Sequence, residues 1–423
     1  MNNSGMGLVR KNNTRNRILH IIRSRKKVSK ADIKRISKYS MITVLATIEA
    51  LLKENLIFYA EKVNSKKSGR RPTHISINPL GGYFLGLSFN AIEITLALLD
   101  YCGGIVDFGQ YPLIREKLSV KYVLERIYSV LDGELRRYSK IRSKIMGIGI
   151  GTPGYIDEER GICMFYPHIQ NWQSIPLKKL LTDRIPDIPV HVENNINSML
   201  LGYRWLLPES TEGTQVLISI RPGLRMACMI NSVLYKGKNF TAGEIGHIKV
   251  EGGSRYCPCG KKGCLESEIS EMAIITKIQE GIRVNRFTGI KNLLSGPDMP
   301  NAPDQRGVKY ASNKVDMDLF IRSVQNGDID SLALLDETCN YLGDSITQLV
   351  NILNPSRIIL NTSLCDLGSL FFDRLKQVIW KQGIFVALDG LSLEPIAFGN
   401  KTAAIGAAAI VMEQELDFVD ATI

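Results

Sequence analysis

The sequence predicts an α/β protein in two parts, a small basic helical module with a strand pair and a larger body of alternating strands and helices. Three observations carry this reading. Charge divides the chain: residues 1–79 hold 18 Lys and Arg against 4 Asp and Glu, a net of +14, while all 423 residues hold 53 against 42. The whole chain is +11, so residues 80–423 carry a net of −3. Between Thr14 and Asn55, apolar residues recur at helical spacing. Beyond Pro79, strand-like apolar runs alternate with amphipathic helical ones.

A hydrophobic content of 44% with 22% charged residues excludes global disorder. The length exceeds one ordinary domain. No apolar run nears the roughly 18–20 residues of a membrane span. The opening MNNSGMGLVRKNNTRNR is polar and basic, unlike a secretory leader. A cytoplasmic protein with no membrane partner is therefore expected.

In the module, Ile18, Ile21 and Ile22 mark the apolar face of a first helix. Ser29 is placed to cap a second helix carrying Ile33 and Ile36. Lys38-Tyr39-Ser40 is a short break before a third helix, with Val44, Ile48, Leu51 and Leu52 facing inward. Two short helices joined by a tight turn describe a helix-turn-helix. Ser40, Met41, Ile42, Thr43, Ala46 and Thr47 would then reach a major groove, reading thymine methyls more than hydrogen-bonding edges. Leu56–Ala60 and His74–Ile77 read as strands flanking KVNSKKSGRRPT, which makes a wing. Arg70 and Arg71 suit a narrow minor groove, and Lys62, Lys66 and Lys67 suit phosphates. Together these features point to double-stranded DNA as partner. The alternative is a protein-interaction module with a solvated basic loop.

In the body, Tyr83–Phe89, Glu93–Leu99 and Ile105–Phe108 are strand-like. A helix over Val120–Tyr138 turns Val123, Ile127, Val130 and Leu131 inward. Strands Ile145–Ile150 and Val190–Glu193 run into Gly151-Thr-Pro-Gly154 and Asn194-Asn195. Arg283–Val315, rich in Asn, Gly, Pro and Lys, reads as an exposed excursion. Two helices split near Asn326-Gly327 precede the strand Arg357–Leu360. No internal repeat is evident.

Eight cysteines are present, three of them crowded at 257, 259 and 264. With His247 they make a His-Cys₃ set, a closed tetrahedral shell of the structural zinc kind. Four protein ligands leave no open position, which argues against a catalytic zinc. Glu244 lies three residues before His247, and Glu266 two residues after Cys264. These carboxylates either bind vicinal hydroxyls of a sugar or support the metal loop.

The winged module followed by GEIGH and CPCGKKGCLE resembles the ROK family (repressors, open reading frames and sugar kinases). The likeness spans nearly the whole chain and includes GRRPTHISINP, GTPG, VENN-INS and QNGDIDSLALL. It implies an actin/hexokinase-like (ribonuclease H-like) body with two α/β lobes around a cleft. The expected domains are 1–79, the winged helix-turn-helix, and 80–423, the body. Its first lobe covers about 80–195 plus the C-terminal segment, and its second about 196–394. The resemblance assigns sugar contacts to Gly154, Asn194, Asn195, Glu244, His247 and Glu266, and His168 marks a departure within that pocket.

Other departures touch chemistry. The family's kinases carry Asp-x-Gly-Gly-Thr after the first strand, where this chain has Ser88-Phe-Asn-Ala-Ile92. A Gly-Thr-Gly phosphate loop is replaced by Arg221-Pro-Gly-Leu-Arg225, and a Gly-Gly turn by Asn361-Thr-Ser363. The family's catalytic base, an Asp, is Asn195 here, and an amide takes no proton from a sugar hydroxyl. No enzymatic activity is expected. The resemblance thus implies a repressor of carbohydrate genes, xylose metabolism among them, acting as a homodimer or homotetramer on operator DNA and answering to a sugar effector. The alternatives are an ATP-dependent sugar kinase, or a regulator controlled by a protein partner with a vestigial sugar site.

Overall fold

The computed structural model describes residues 4–60, 73–207, 213–295, 315–399 and 401–416. The basic module comprises α1 (Ser4–Arg25), β1 (Val28–Ser29), α2 (Lys30–Ser37), α3 (Met41–Lys53), β2 (Ile57–Ala60) and β3 (His74–Ile77). Its helices start where the sequence supplies caps. The Ser29 hydroxyl accepts from the Asp32 N–H at 3.2 Å, and Ser40 accepts from the Thr43 N–H at 3.1 Å. Lys38 adopts a left-handed conformation (φ 59°), which ends α2 and makes the tight turn. The expected inward residues Ile18, Ile22, Ile33, Val44, Ile48 and Leu51 are fully buried, whereas Ile36 and Leu52 are half-buried. The antiparallel sheet has the order β1-β3-β2, with Val28 opposite Ile75 and Ile57 opposite Ile77. Strand β1 was not anticipated, because two residues carry no periodicity. Lys62, Lys66, Lys67, Arg70 and Arg71 of the expected wing lie outside the described residues.

The body begins with β4 (Tyr83–Phe89), β5 (Glu93–Asp100), β6 (Ile105–Pro112), α4 (Val120–Arg137) and β7 (Ile145–Thr152). A small antiparallel sheet follows, β8 (Tyr155–Asp157), β9 (Ile162–Phe165) and β10 (Gln173–Ile175). Then come α5 (Leu177–Arg184), β11 (Val190–Asn194) and α6 (Asn195–Leu206). The main sheet has the order β11-β7-β4-β5-β6, an antiparallel meander extended by two parallel strands.

The second half repeats this plan. It has β12 (Thr214–Ile220), β13 (Leu224–Ile230), β14 (Val233–Leu234), α7 (Leu265–Ile269), α8 (Glu271–Arg283), α9 (Thr288–Ser295), α10 (Met317–Gln325) and α11 (Ile329–Leu353). These are followed by β15 (Arg357–Asn361), α12 (Ser369–Gln382), α13 (Phe385–Leu388), β16 (Ser392–Pro395) and α14 (Lys401–Leu416). The sheet order β14-β13-β12-β15-β16 is again a meander plus two parallel strands. The body is thus a topological duplication, which no sequence repeat announces. The expected exposed excursion is partly folded, since α9 lies inside it and Phe287 and Ile290 are buried. Residues 296–314 lie outside the described residues.

The described chain forms two units, one running to Leu207 and including α14, the other running from Gly213 to Gly399. Helix α6 therefore belongs to the first unit, and the change of unit falls after it rather than near residue 195. In the first unit, one sheet face is covered by α4 and α5, through Val123, Ile127, Leu131 and Leu181. The other face holds α14 and the basic module in one continuous core. Ile18, Ile22, Val44 and Ile48 pack there with Phe84, Leu99, Tyr101, Ala408 and Met412. Bare glycines let α14 lie close: a Cβ at Gly149 would stand 1.7 Å from the Ala407 carbonyl oxygen. The second unit has its own core around Ile218, Leu265, Phe320, Leu342 and Leu360. Among the described residues no helix is long and apolar enough to cross a membrane.

Candidate functional site

The first surface is the N-terminal turn of α3. Ile42 is 82% exposed, Ala46 is also exposed, and Met41, Thr43 and Thr47 are half-buried. The hydroxyls are already engaged. Ser40 and Thr43 share a hydrogen bond of 2.8 Å, and the Thr47 hydroxyl donates to the Thr43 carbonyl at 2.8 Å. The turn therefore presents mainly apolar groups outward, and Ser40 serves first as the cap.

In the first unit, Gly154, Asn194 and Asn195 gather where β7 and β11 end, and His168 lies in the loop after β9. Gly154 has φ 80°, and a Cβ there would stand 2.1 Å from the Phe165 carbonyl oxygen, so only glycine fits. Its carbonyl accepts the Asn194 amide N–H at 2.9 Å. The Asn194 side-chain oxygen caps α6 by accepting from the N–H groups of Ile196 and Asn197, at 2.9 and 3.4 Å. Buried Glu193 accepts from the Asn194 N–H at 2.8 Å and the Asn197 amide at 3.0 Å. Asn194 is thus buried and structural as well as polar, while Asn195 is half-buried at the first position of α6. His168 is exposed, with its ring edge-on to Tyr166 at 5.2 Å. Burial pushes the Tyr166 hydroxyl up to about 12. Trp172 anchors this loop beneath, 1% exposed and 5.3 Å from Phe89.

In the second unit, a short 3-10 turn, Ile245–His247, holds Glu244 and His247 together, with Nε2 3.9 Å from a Glu244 oxygen. The other His247 nitrogen, Nδ1, lies 3.6 Å from the Cys257 sulfur. The Cys259 and Cys264 sulfurs are 3.7 Å apart. All four ligand atoms fall within 4.8 Å of one another, so the set could hold a metal ion. All eight cysteines are free of disulfides. Gly260 and Gly263 take positive φ, 87° and 78°, which turns the chain tightly enough to gather the thiols. Glu266, in the first turn of α7, accepts from the Leu224 N–H at 2.8 Å.

Two residues escaped the sequence reading. Arg225 lies 3.2 Å from the Glu244 carboxylate and donates to the Ala242 carbonyl at 3.4 Å. Buried Glu268 accepts from the Ser254 and Arg255 N–H groups at 2.8 and 2.9 Å and pairs with Lys277 at 3.3 Å. Burial alone would raise the Glu268 carboxyl, but these N–H groups and Lys277 outweigh it and hold it below the ordinary value. No motif spacing links either residue to its partners.

The loops that depart from a phosphate cradle are filled. Asn90 closes the β4–β5 turn by accepting from the Ile92 and Glu93 N–H groups at 2.6 and 3.0 Å. Arg221 donates to the Ser363 hydroxyl at 2.9 Å and to Glu271 at 3.2 Å, tying its loop to Asn361-Thr-Ser363. Ser363 donates to Glu271 at 2.7 Å.

The sequence model of the ROK family matches residues 87–414. The chain belongs to the ROK family. Both regulators and kinases of this family are similar to it. A xylose repressor of Caldicellulosiruptor bescii is 25% identical over 406 residues, 95% of this chain and 96% of its own length. A glucokinase of Halalkalibacterium halodurans is 29% identical over 337 residues, 79% of this chain and 96% of its own. The crystal structure of a ROK family transcriptional regulator, a homolog of the Escherichia coli MLC protein, superposes with a TM-score of 0.78 at 22% identity, covering 96% of this chain and 97% of that one. The two repeated sheets are the actin/hexokinase-like body of a ROK protein, preceded by its own helical module.

Proposed function

We propose that this ROK protein is a sequence-specific DNA-binding repressor of carbohydrate-utilisation genes, controlled by a sugar or sugar derivative. The observation that carries the reading is the N-terminal module. The similar xylose repressor matches 95% of the chain, whereas the similar glucokinase matches 79%. The family model itself begins at residue 87, after the helical module with its exposed Ile42 turn and net charge of +14. Such a module docks α3 in a major groove, and the wing residues Lys66, Lys67, Arg70 and Arg71 meet the backbone and minor groove. Two copies set on a palindrome make a homodimer or homotetramer the working species.

The effector contacts proposed are Gly154, His168, Asn194 and Asn195 in one unit and Glu244, His247 and Glu266 in the other. Carboxylates accept hydrogen bonds from hydroxyls, and the Asn195 amide both donates and accepts. Neither Asn195 nor any filled loop offers phosphoryl transfer: the amide is no base, and Arg221 and Asn90 occupy what a phosphate cradle leaves bare. We therefore assign no kinase activity.

Zinc is proposed as the ion of the His247, Cys257, Cys259 and Cys264 set. Tetrahedral zinc bonds place two sulfurs about 3.8 Å apart, and sulfur and nitrogen about 3.6 Å apart. The 3.7 and 3.6 Å separations fit that shell. When bound, zinc would supply rigidity, holding the Glu244 and Glu266 segments in place. The free thiols suit a reducing cytoplasm.

Calorimetry with D-xylose, D-glucose and their phosphates, run beside an ATP-coupled phosphorylation assay, tests the reading. Saturable binding of one sugar, lost in Glu244→Gln, with no ATP turnover, is the expected result. Sugar phosphorylation would overturn it.

A further inference from the structure

One helix joins the proposed effector residues to the DNA-reading module. Helix α6 is capped by Asn194, starts at Asn195 and carries Arg204 and Trp205 in its last turn, twelve residues and about 18 Å along its axis. Its first turn is fixed by the Asn194 cap, the Glu193 carboxylate and the Ser198 hydroxyl, which donates to the Asn194 carbonyl at 2.8 Å. Its middle is pressed onto α14. A Cβ at Gly406 would stand 1.7 Å from the Ser198 carbonyl, and one at Gly202 would stand 2.8 Å from Gly406. Contact this close leaves no slack, so a shift at one end of α6 moves the other.

The far end meets the module. The Arg23 guanidinium, near the end of α1, stacks over the Trp205 ring at 4.1 Å. It also donates to the Cys102 carbonyl at 2.9 Å, in the turn between β5 and β6. Trp205 donates in turn to Glu413 of α14 at 3.0 Å, and Glu413 pairs with Arg204. Burial lowers Arg23 to about 10, and its Nη1 is buried without a hydrogen-bond partner. His20, one turn earlier on α1, is held below its ordinary value by burial, then by Arg23 and Arg204. A half-buried arginine held by one ring and one carbonyl, with a buried donor left over, is an expensive contact for a merely structural joint.

We propose that Arg23 and Trp205 are positioning residues that transmit the effector state of Asn194 and Asn195, through α6, to the DNA-reading module. The proposal rests on the effector reading above. A sugar that draws on Asn195 shifts α6 and α14 as one piece and changes the seat of Arg23 between Trp205 and the Cys102 carbonyl. Helix α1 then carries α2 and α3 with it, because all three share one core with α14. The latch has two states of differing DNA affinity, and the sugar favours one.

Wild type, Trp205→Phe and Arg23→Lys are compared in one experiment. Trp205→Phe keeps a ring but loses the Glu413 hydrogen bond, and Arg23→Lys keeps the charge but loses the planar fork. Fluorescence anisotropy on duplex DNA from the upstream region of its own gene gives the affinity with and without D-xylose or D-glucose, and calorimetry gives the sugar affinity. In wild type the sugar changes DNA affinity by roughly 10-fold or more. In the variants that ratio falls to within about 2-fold of unity, while sugar affinity stays within about 3-fold. Variants that keep the wild-type ratio overturn the proposal and leave the effector reading intact. A wild type indifferent to both sugars, and to their phosphates, overturns the effector reading and this inference with it. Should a variant lose DNA binding altogether, amide exchange on wild type decides. Sugar must alter protection at residues 16–25 and 100–104, and protection changes confined to the start of α6 overturn the proposal.

Discussion

Cys259 is an exposed thiol of the proposed zinc set, and Glu268 is a buried carboxylate bonded to the Ser254 and Arg255 N–H groups of the same loop. Replacing Cys259 by Ser removes one of four ligands. Bound zinc, measured by elemental analysis, should fall from one per chain towards none. The melting midpoint should drop by roughly 5–10 °C, as a loss of about 3 kcal/mol in a unit of this size implies. Glu268 tests pH. Its folded-state carboxyl lies below the ordinary value, so its contribution is present above the unfolded carboxylate range and is lost as pH falls through the folded one. Glu268→Gln should therefore flatten the acid limb of the melting curve below about pH 4.5, while an unchanged limb would contradict the role. The cluster that could hold a metal ion was legible because three of its four members, Cys257, Cys259 and Cys264, crowd together in sequence. Arg225 and Glu268 were not, because no motif marks them: Arg225 meets Glu244, and Glu268 meets Ser254, Arg255 and Lys277, only through the fold.

At the scale of elements, helices were legible where caps and periodicity coincide. Ser29 and Ser40 begin α2 and α3 as expected, and β4 matches its expected bounds. Strand β1 and helix α9 were hidden, the first by its length and the second by a polar setting that reads as loop. The glycines of β7 gave no signal until α14 was seen lying on them. Gly149→Ala would push a methyl onto the Ala407 carbonyl and should destabilise by on the order of 3 kcal/mol, read as a lowered denaturation midpoint. The proposed wing gives a second element-scale prediction. Arg70→Ala with Arg71→Ala should reduce the slope of log affinity against log salt by about 2, with DNA binding weakened on all sequences. An unchanged slope would show that neither arginine meets the backbone.

For the whole molecule, the charge partition was legible as a basic fifth on a near-neutral body, and the family resemblance added the two-lobed plan. The duplication of the sheets was not, since two copies of one topology need share no residues. Nor was the merging of the basic module into the core of the first unit, because α14 closes that core from the far end of the chain. This shared core makes a sugar-dependent change in DNA affinity physically direct. DNA binding and sugar binding are proposed to be coupled in one chain without catalysis. Anisotropy of the protein on duplex DNA from its own upstream region, at stated salt, titrated with mono- and disaccharides, tests it most directly. Tight, sequence-preferring binding that one sugar changes by roughly 10-fold or more is the expected result. Binding no tighter than to random duplex of equal length, or specific binding that no sugar or sugar phosphate alters, would contradict it.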